Sequence, residues 1–270
     1  MAIGIFDSGL GGLSILQAAR QALPDASFVY LGDNAHAPYG TRAPQDIIQR
    51  TEQATHVLWE HDCDLVVLAC NTASAIALRP LQSQPLPDNK RVLGVFVPMI
   101  EALTGRDWGD TSPPVQAPIQ RVALFATPAT VASQAFEREL NLRATGIQVQ
   151  AQACHGLVDA IEANDPDEIH ARVQAHCQAL LEAMPNPQAA VLGCTHYPLV
   201  ADQFRAALGP AVRIISQPDL VAASLADYLF RHGLHETGGT LSCLTTGDPL
   251  IVSRQASQFM GQSLTFQKAH

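Results

Sequence analysis

The chain has 270 residues, 47% of them hydrophobic and 15% charged, with 16 Lys and Arg against 25 Asp and Glu for a formal charge of −9. That balance excludes a disordered chain, and without any Lys/Arg cluster it excludes the basic footprint of a nucleic-acid binder. No apolar run approaches the ~20 residues of a membrane span, and no charged segment leads into an apolar one at the start, so neither a membrane nor a secretory leader is expected.

Residues 3–6 are apolar and β-rich and read as a strand. Asp7-Ser8-Gly9-Leu10-Gly11-Gly12 follows as a turn, leading into a helix over 13–23. Pro24-Asp25 is a turn before a strand over 26–31. Residues 32–40 form a polar loop holding Asp33, Asn34, His36 and Pro38-Tyr39-Gly40. Helical spacing covers 44–61, and a strand over 64–69 ends at Cys70. Residues 72–81 read as a helix, 91–95 as a strand, and 98–103 begin another helix.

The alternation then breaks. Residues 105–120 carry Gly105, Gly109, Pro113, Pro114 and Pro118 with little periodicity, and read as an exposed insertion or linker. A strand over 121–126 restarts the pattern, followed by a helix over 130–142, a strand over 147–153 and helices over 155–164 and 167–184. A strand over 189–193 ends at Cys194, with a helix over 199–208. Strands over 212–215, 241–245 and 264–267 alternate with helices over 219–232 and 249–260.

Strands alternating with helices predict an α/β fold with mainly parallel sheets flanked by helices. The restart predicts two similar domains, 1–98 plus 212–270 and 99–211, related by a pseudo-twofold. A weak internal repeat supports this. Ile5-Phe6-Asp7-Ser8 corresponds to Leu124-Phe125-Ala126-Thr127, and Leu68-Ala69-Cys70-Asn71-Thr72 to Leu192-Gly193-Cys194-Thr195. The active site is expected in the inter-domain cleft, with both cysteines brought to it.

Cys70 and Cys194 each follow a buried strand and precede a helix start. Ligands in open α/β sheets sit just beyond such strand ends. A thiol pKa falls near a helix N-terminus. Two thiols in matched contexts suit general acid–base chemistry, one removing a proton from a carbon acid and the other returning one to the opposite face. Such a reaction needs no cofactor, and none is expected. The glycine-rich turn fails the G-x-G-x-x-G pattern because position 14 is Ser, and no phosphate-loop Lys follows. No cysteine pair fits C-x-x-C, so no metal is expected. Cys63, Cys154, Cys177 and Cys243 have no comparable context and are assigned to packing. Six irregularly spaced cysteines indicate a reducing, cytoplasmic setting.

Five motifs carry a resemblance: residues 6–12, Asp33-Asn34-Ala35 with Pro38-Tyr39-Gly40, Ala69-Cys70-Asn71-Thr72-Ala73-Ser74, Gly193-Cys194-Thr195-His196-Tyr197-Pro198, and Thr245-Thr246-Gly247-Asp248-Pro249. In this order they resemble the glutamate racemases of the cofactor-independent aspartate/glutamate racemase superfamily. The resemblance implies that Cys70 and Cys194 are the catalytic acid/base pair. It implies that Asp7 assists the first and His196 the second, with Glu162 a further assisting carboxylate. It places Asp7, Ser8, Tyr39, Gly40, Asn71, Thr72, Thr195 and His196 at the substrate. Beside this, Asp7 has an alternative reading as a turn carboxylate capping the following helix, and His36 reads as a surface residue. The implied activity is reversible L-glutamate/D-glutamate interconversion, supplying D-glutamate for peptidoglycan synthesis in a bacterial cytoplasm. The expected partner is the small-molecule substrate glutamate, with a homodimer allowed. Three other readings stay open: an aspartate-acting relative, an amino-acid-binding protein with silent cysteines, and a hydrolase using one cysteine.

Overall fold

The computed structural model describes residues 2–106, 110, 112–234 and 238–269. The chain divides into two compact units, Met1–Val95 with Pro218–His270, and Phe96–Gln217.

The first unit opens with β1 (Ala2–Asp7), α1 (Leu13–Ala22), β2 (Phe28–Gly32), α2 (Pro44–Glu60), β3 (Cys63–Leu68), α3 (Asn71–Ile76), α4 (Leu78–Ser83) and β4 (Arg91–Gly94). There follow α5 (Phe96–Thr104), β5 (Val115–Gln116), β6 (Arg121–Ala126), α6 (Pro128–Ser133), α7 (Ala135–Asn141), β7 (Ala144–Thr145) and β8 (Gln148–Ala153). The second unit continues with α8 (Leu157–Glu162), α9 (Pro166–Ala183), β9 (Ala189–Gly193), α10 (Ala201–Leu208) and β10 (Arg213–Ile215). The chain then returns through α11 (Gln217–Arg231), β11 (Leu241–Thr245), α12 (Pro249–Met260) and β12 (Phe266–Lys268). No helix among the described residues is long and apolar enough to cross a membrane.

The first unit holds a sheet in the order β12-β11-β2-β1-β3-β4, and the second a sheet in the order β10-β9-β6-β8. Each described neighbour pair in these sheets is parallel. Parallel strands are covered on both faces, which is why Leu65–Leu68 and Ala189–Gly193 are continuous buried runs rather than alternating ones. The internal repeat is a repeat of topology. The order β2-β1-β3-β4 in one sheet matches β8-β6-β9-β10 in the other. In each, the chain leaves the first strand to one side and comes back to the other. The switch point therefore lies between β1 and β3 in one unit and between β6 and β9 in the other, where crevices open beyond the carboxyl ends.

The second unit's core packs Phe125, Phe204 and Tyr197, with ring centroids 5.0 Å apart for Phe125–Phe204 and 5.8 Å for Tyr197–Phe204. All three are fully buried. Each such side chain contributes roughly 1.5–3 kcal/mol through area removed from water, so the strand carrying Cys194 is held by a stiff platform.

Three expectations change. The helix read over 72–81 is two short helices that meet at Ala77. The helix read over 130–142 breaks at Gln134, whose left-handed backbone (φ 51°) ends α6 and restarts as α7. The stretch 105–120 is not merely an exposed linker, although residues 107–109 and 111 lie outside the described residues. Within it β5 pairs with β7, and Arg106 is buried. The Arg106 guanidinium donates to the Asp110 carboxylate at 2.8 Å and to the Arg143 carbonyl at 2.6 Å. Its second amino group donates to the Ser112 carbonyl and hydroxyl. One planar cation thus ties Asp110, Ser112 and Arg143 together through a fan of donors.

Candidate active site

At the first switch point, β1 ends on Asp7 and β3 leads to Cys70. Gly12 explains how Asp7 fits. A Cβ at position 12 would lie 2.7 Å from the Asp7 Cβ and 3.1 Å from that of Ala69, so the turn closes tightly over a fully buried carboxylate. Asp7 accepts the Gly9 N–H at 2.9 Å, which shapes the turn.

Cys70 is the N-cap of α3. Its sulfur accepts the Ala73 N–H at 3.5 Å and lies 3.4 Å from the Ser8 hydroxyl. Asn71 and Thr72 follow, both buried. Ser74 anchors the turn, donating to the Leu68 carbonyl at 2.7 Å and accepting the Val95 N–H at 3.2 Å. Tyr39 stands close enough to Cys70 for their charges to interact, and Gly40 is buried beside it in a short 3₁₀ turn.

Asp33 was not among the expected site residues, and the structure makes it a hub. It follows β2, is 3% exposed, and accepts three hydrogen bonds. Its Oδ2 takes the Tyr39 hydroxyl at 2.6 Å, and its Oδ1 takes the Thr246 hydroxyl at 2.6 Å and the His36 ring at 2.8 Å. His36 is thus bound to the site loop rather than being a bare surface residue. Burial first, then the Asp33 carboxylate, pushes the Tyr39 hydroxyl well above its ordinary pKa, so Tyr39 acts as a donor and not a base. The Thr245-Thr246 motif closes the loop, with Thr245 donating to the Asn34 side chain at 2.8 Å. The strand-end position of Asp33 was the available signal, the same one that singled out the cysteines.

At the second switch point, β9 ends on Gly193. A Cβ there would lie 2.9 Å from Leu124 Cδ1 and 3.1 Å from the Phe125 carbonyl, so only Gly lets β9 and β6 run this close up to Cys194. The Cys194 sulfur is 3.8 Å from His196 Nδ1, and His196 Nε2 is 2.9 Å from Glu162 Oε1. Sulfur, imidazole and carboxylate form one hydrogen-bonded line. Burial works against a charge on His196, but hydrogen bonds to Cys194 and Glu162 outweigh it and raise its pKa from 6.5 to about 10. The raised pKa favours a proton held on the ring, between the Cys194 sulfur and the Glu162 carboxylate. Thr195 is buried between them in sequence.

Two further residues were not anticipated here. Thr127 and Thr130 lie past the end of β6, buried, with hydroxyls 3.0 Å apart. The repeat that pairs Ser8 with Thr127 was the signal for them. Cys154, assigned to packing, is buried with its thiol beside the Tyr197 hydroxyl. Burial pushes both groups up, which keeps them neutral.

Each switch point thus carries a buried thiol just past a strand end, Cys70 beside the Ser8 hydroxyl in the first unit and Cys194 beside the His196 ring in the second. The chain belongs to the Asp/Glu/hydantoin racemase family, whose model matches residues 13–225. It is 59% identical over 269 residues to the glutamate racemase of Ruegeria pomeroyi, covering all of both chains. Its fold is similar to a glutamate racemase isoform from Bacillus anthracis, with TM-score 0.86 and 27% identity over 100% of this chain and 97% of that one. It is also similar to the Francisella tularensis glutamate racemase solved with D-glutamate, with TM-score 0.83 and 26% identity at the same coverage.

Proposed function

We infer that the chain is an isomerase that interconverts L- and D-glutamate by moving a proton between two cysteines. What carries this reading is the repeated switch point, in which the same strand of each sheet ends on a buried cysteine, Cys70 or Cys194. One thiolate takes the α-hydrogen, and the bonding electron pair moves into the α-carboxylate as an enediolate. The other thiol delivers its proton to the opposite face, so the centre inverts and the two cysteines exchange protonation states. Both steps are proton transfers, which is why no cofactor is expected.

The surrounding groups divide between binding and proton management. Ser8, Asn71, Thr72, Thr195 and the Tyr39-Gly40 turn supply neutral donors for the two substrate carboxylates, with Thr127 and Thr130 added to that set. Neutral donors aimed at developing charge are effective where water is excluded. The His196 ring can hold or pass a proton at the Cys194 sulfur, and Glu162 holds the far nitrogen of that ring. Asp7 is placed to accept the substrate ammonium or to pass a proton towards Cys70. Six free thiols, all buried, suit a reducing cytoplasm, where the product D-glutamate would enter peptidoglycan synthesis.

The test is hydrogen exchange in D₂O from L- and D-glutamate with the wild type, Cys70→Ser and Cys194→Ser. Deuterium at the α-carbon with loss of optical rotation, abolished in both variants, is the expected result. Exchange from aspartate but not glutamate would move the substrate assignment. Full turnover by Cys194→Ser would overturn the two-thiol mechanism.

A further inference from the structure

We propose that Arg172 is a positioning residue for the Cys194 half of the chemistry, acting through the His155 carbonyl, helix α8, Glu162 and His196. The proposal rests on the racemase reading above and concerns how Glu162 is held.

Glu162 is the last residue of α8, a helix of only six residues. Helices that short do not hold their own shape in water, so the placement of Glu162 depends on how the start of α8 is fixed. That start has no side-chain cap, and Gly156 there is left-handed, φ 70°. The clamp comes from α9 instead. Arg172 Nη1 donates to the His155 carbonyl at 3.0 Å, and the His176 ring bonds the same oxygen at 3.2 Å. The guanidinium lies directly against Gly156, since a Cβ there would sit 2.6 Å from Arg172 Cζ. Glu168 holds the other side of the guanidinium at 2.5 Å, and Asp165 caps the turn carrying Glu168 through its N–H at 3.0 Å. Leu157, Ala160 and Ile161 then seat α8 in the same core as Cys194.

The consequence is geometric. The 2.9 Å bond from Glu162 to His196 sets the imidazole that faces the Cys194 sulfur. Displacements of about 1 Å at a reacting centre cost up to ~100-fold in rate. Arg172 is partly solvated, and its loss removes one of two donors on one carbonyl, so the expected fall in kcat/KM is about three- to tenfold.

Rate alone would not locate the effect. The two enantiomers are equal in energy, so kcat/KM falls equally in both directions wherever the damage lies. Isotope effects separate the halves. Slowing only the Cys194 proton transfer makes the α-deuterium effect on kcat/KM rise for the enantiomer that Cys194 deprotonates. The same change makes it fall for the enantiomer that Cys70 deprotonates.

The experiment measures kcat/KM for protiated and α-deuterated L- and D-glutamate with the wild type, Arg172→Met, Arg172→Lys and Glu162→Gln. Arg172→Met is expected to show opposite changes for the two enantiomers, with the same enantiomer rising as in Glu162→Gln. Arg172→Lys keeps a donor and should recover at least half of the rate. If Arg172→Met does not fold, Gly156→Ala, whose Cβ displaces the guanidinium, should give the same pattern. Wild-type isotope effects in the variants, or the opposite enantiomer rising, would overturn the proposal. A wild type that does not racemise glutamate would instead refute the functional reading on which it rests.

Discussion

Replacing Glu162 by Gln tests the line of atoms at Cys194 most directly. The substitution keeps the size and an acceptor oxygen for His196 Nε2, and removes only the charge. His196 is raised to about 10 against opposing burial, with Cys194 the larger favourable partner and Glu162 the second. The Glu162 side chain is 42% exposed, so solvent screens its share, and about 1 kcal/mol is a fair magnitude. One pKa unit is 1.36 kcal/mol, which puts the expected fall in the His196 pKa at somewhat less than about one unit.

The stability consequence has a definite sign. A folded pKa above the unfolded 6.5 means the folded state binds the proton more tightly. The contribution is fully present below pH 6.5, declines between 6.5 and about 10, and is gone above 10. The wild type should therefore exceed Glu162→Gln by about 1 kcal/mol at pH 6, with the gap closing above pH 10. Nitrogen-15 NMR of the histidines gives the His196 midpoint, and urea unfolding at the two pH values gives the gap. An unmoved midpoint, or a gap that persists at high pH, would refute the charge pairing.

Three other substitutions probe the first unit. Tyr39→Phe strips a buried carboxylate oxygen of its 2.6 Å donor and should cost about 2 kcal/mol in urea unfolding; an unchanged midpoint would mean that Asp33 finds another donor. Gly12→Ala is compatible with the backbone there, φ −64°, but its Cβ would meet Asp7 at 2.7 Å. Racemisation should fall at least about tenfold while the melting temperature stays within a few degrees. Full activity would show that the position of Asp7 is not critical. Ser74→Ala removes the donor to Leu68 and the acceptor of Val95 beneath Cys70, and should lower unfolding stability by about 1–3 kcal/mol, with a loss under 0.5 kcal/mol counting against that role.

The sequence alone was enough for the alternation of strands and helices, the repeat, and the two cysteines at strand ends. These are local signals. A strand covered on both faces must be apolar throughout, as Leu65–Leu68 and Ala189–Gly193 are, and the residue after it falls at the crevice. Glycine next to a cysteine is also legible, although its reason, the approach of Leu124 and Phe125 to Gly193, is not. Tertiary structure decided what pairs with what. His196 meets Glu162 from 34 residues away, and Thr246 meets Asp33 from 213 residues away. No periodicity encodes such contacts, because they depend on where separate strands end. The breaks at Ala77 and Gln134 and the burial of Arg106 belong to the same class. A helix pattern in the sequence continues through them, and only the packing of each short segment against its neighbours determines where the chain must turn.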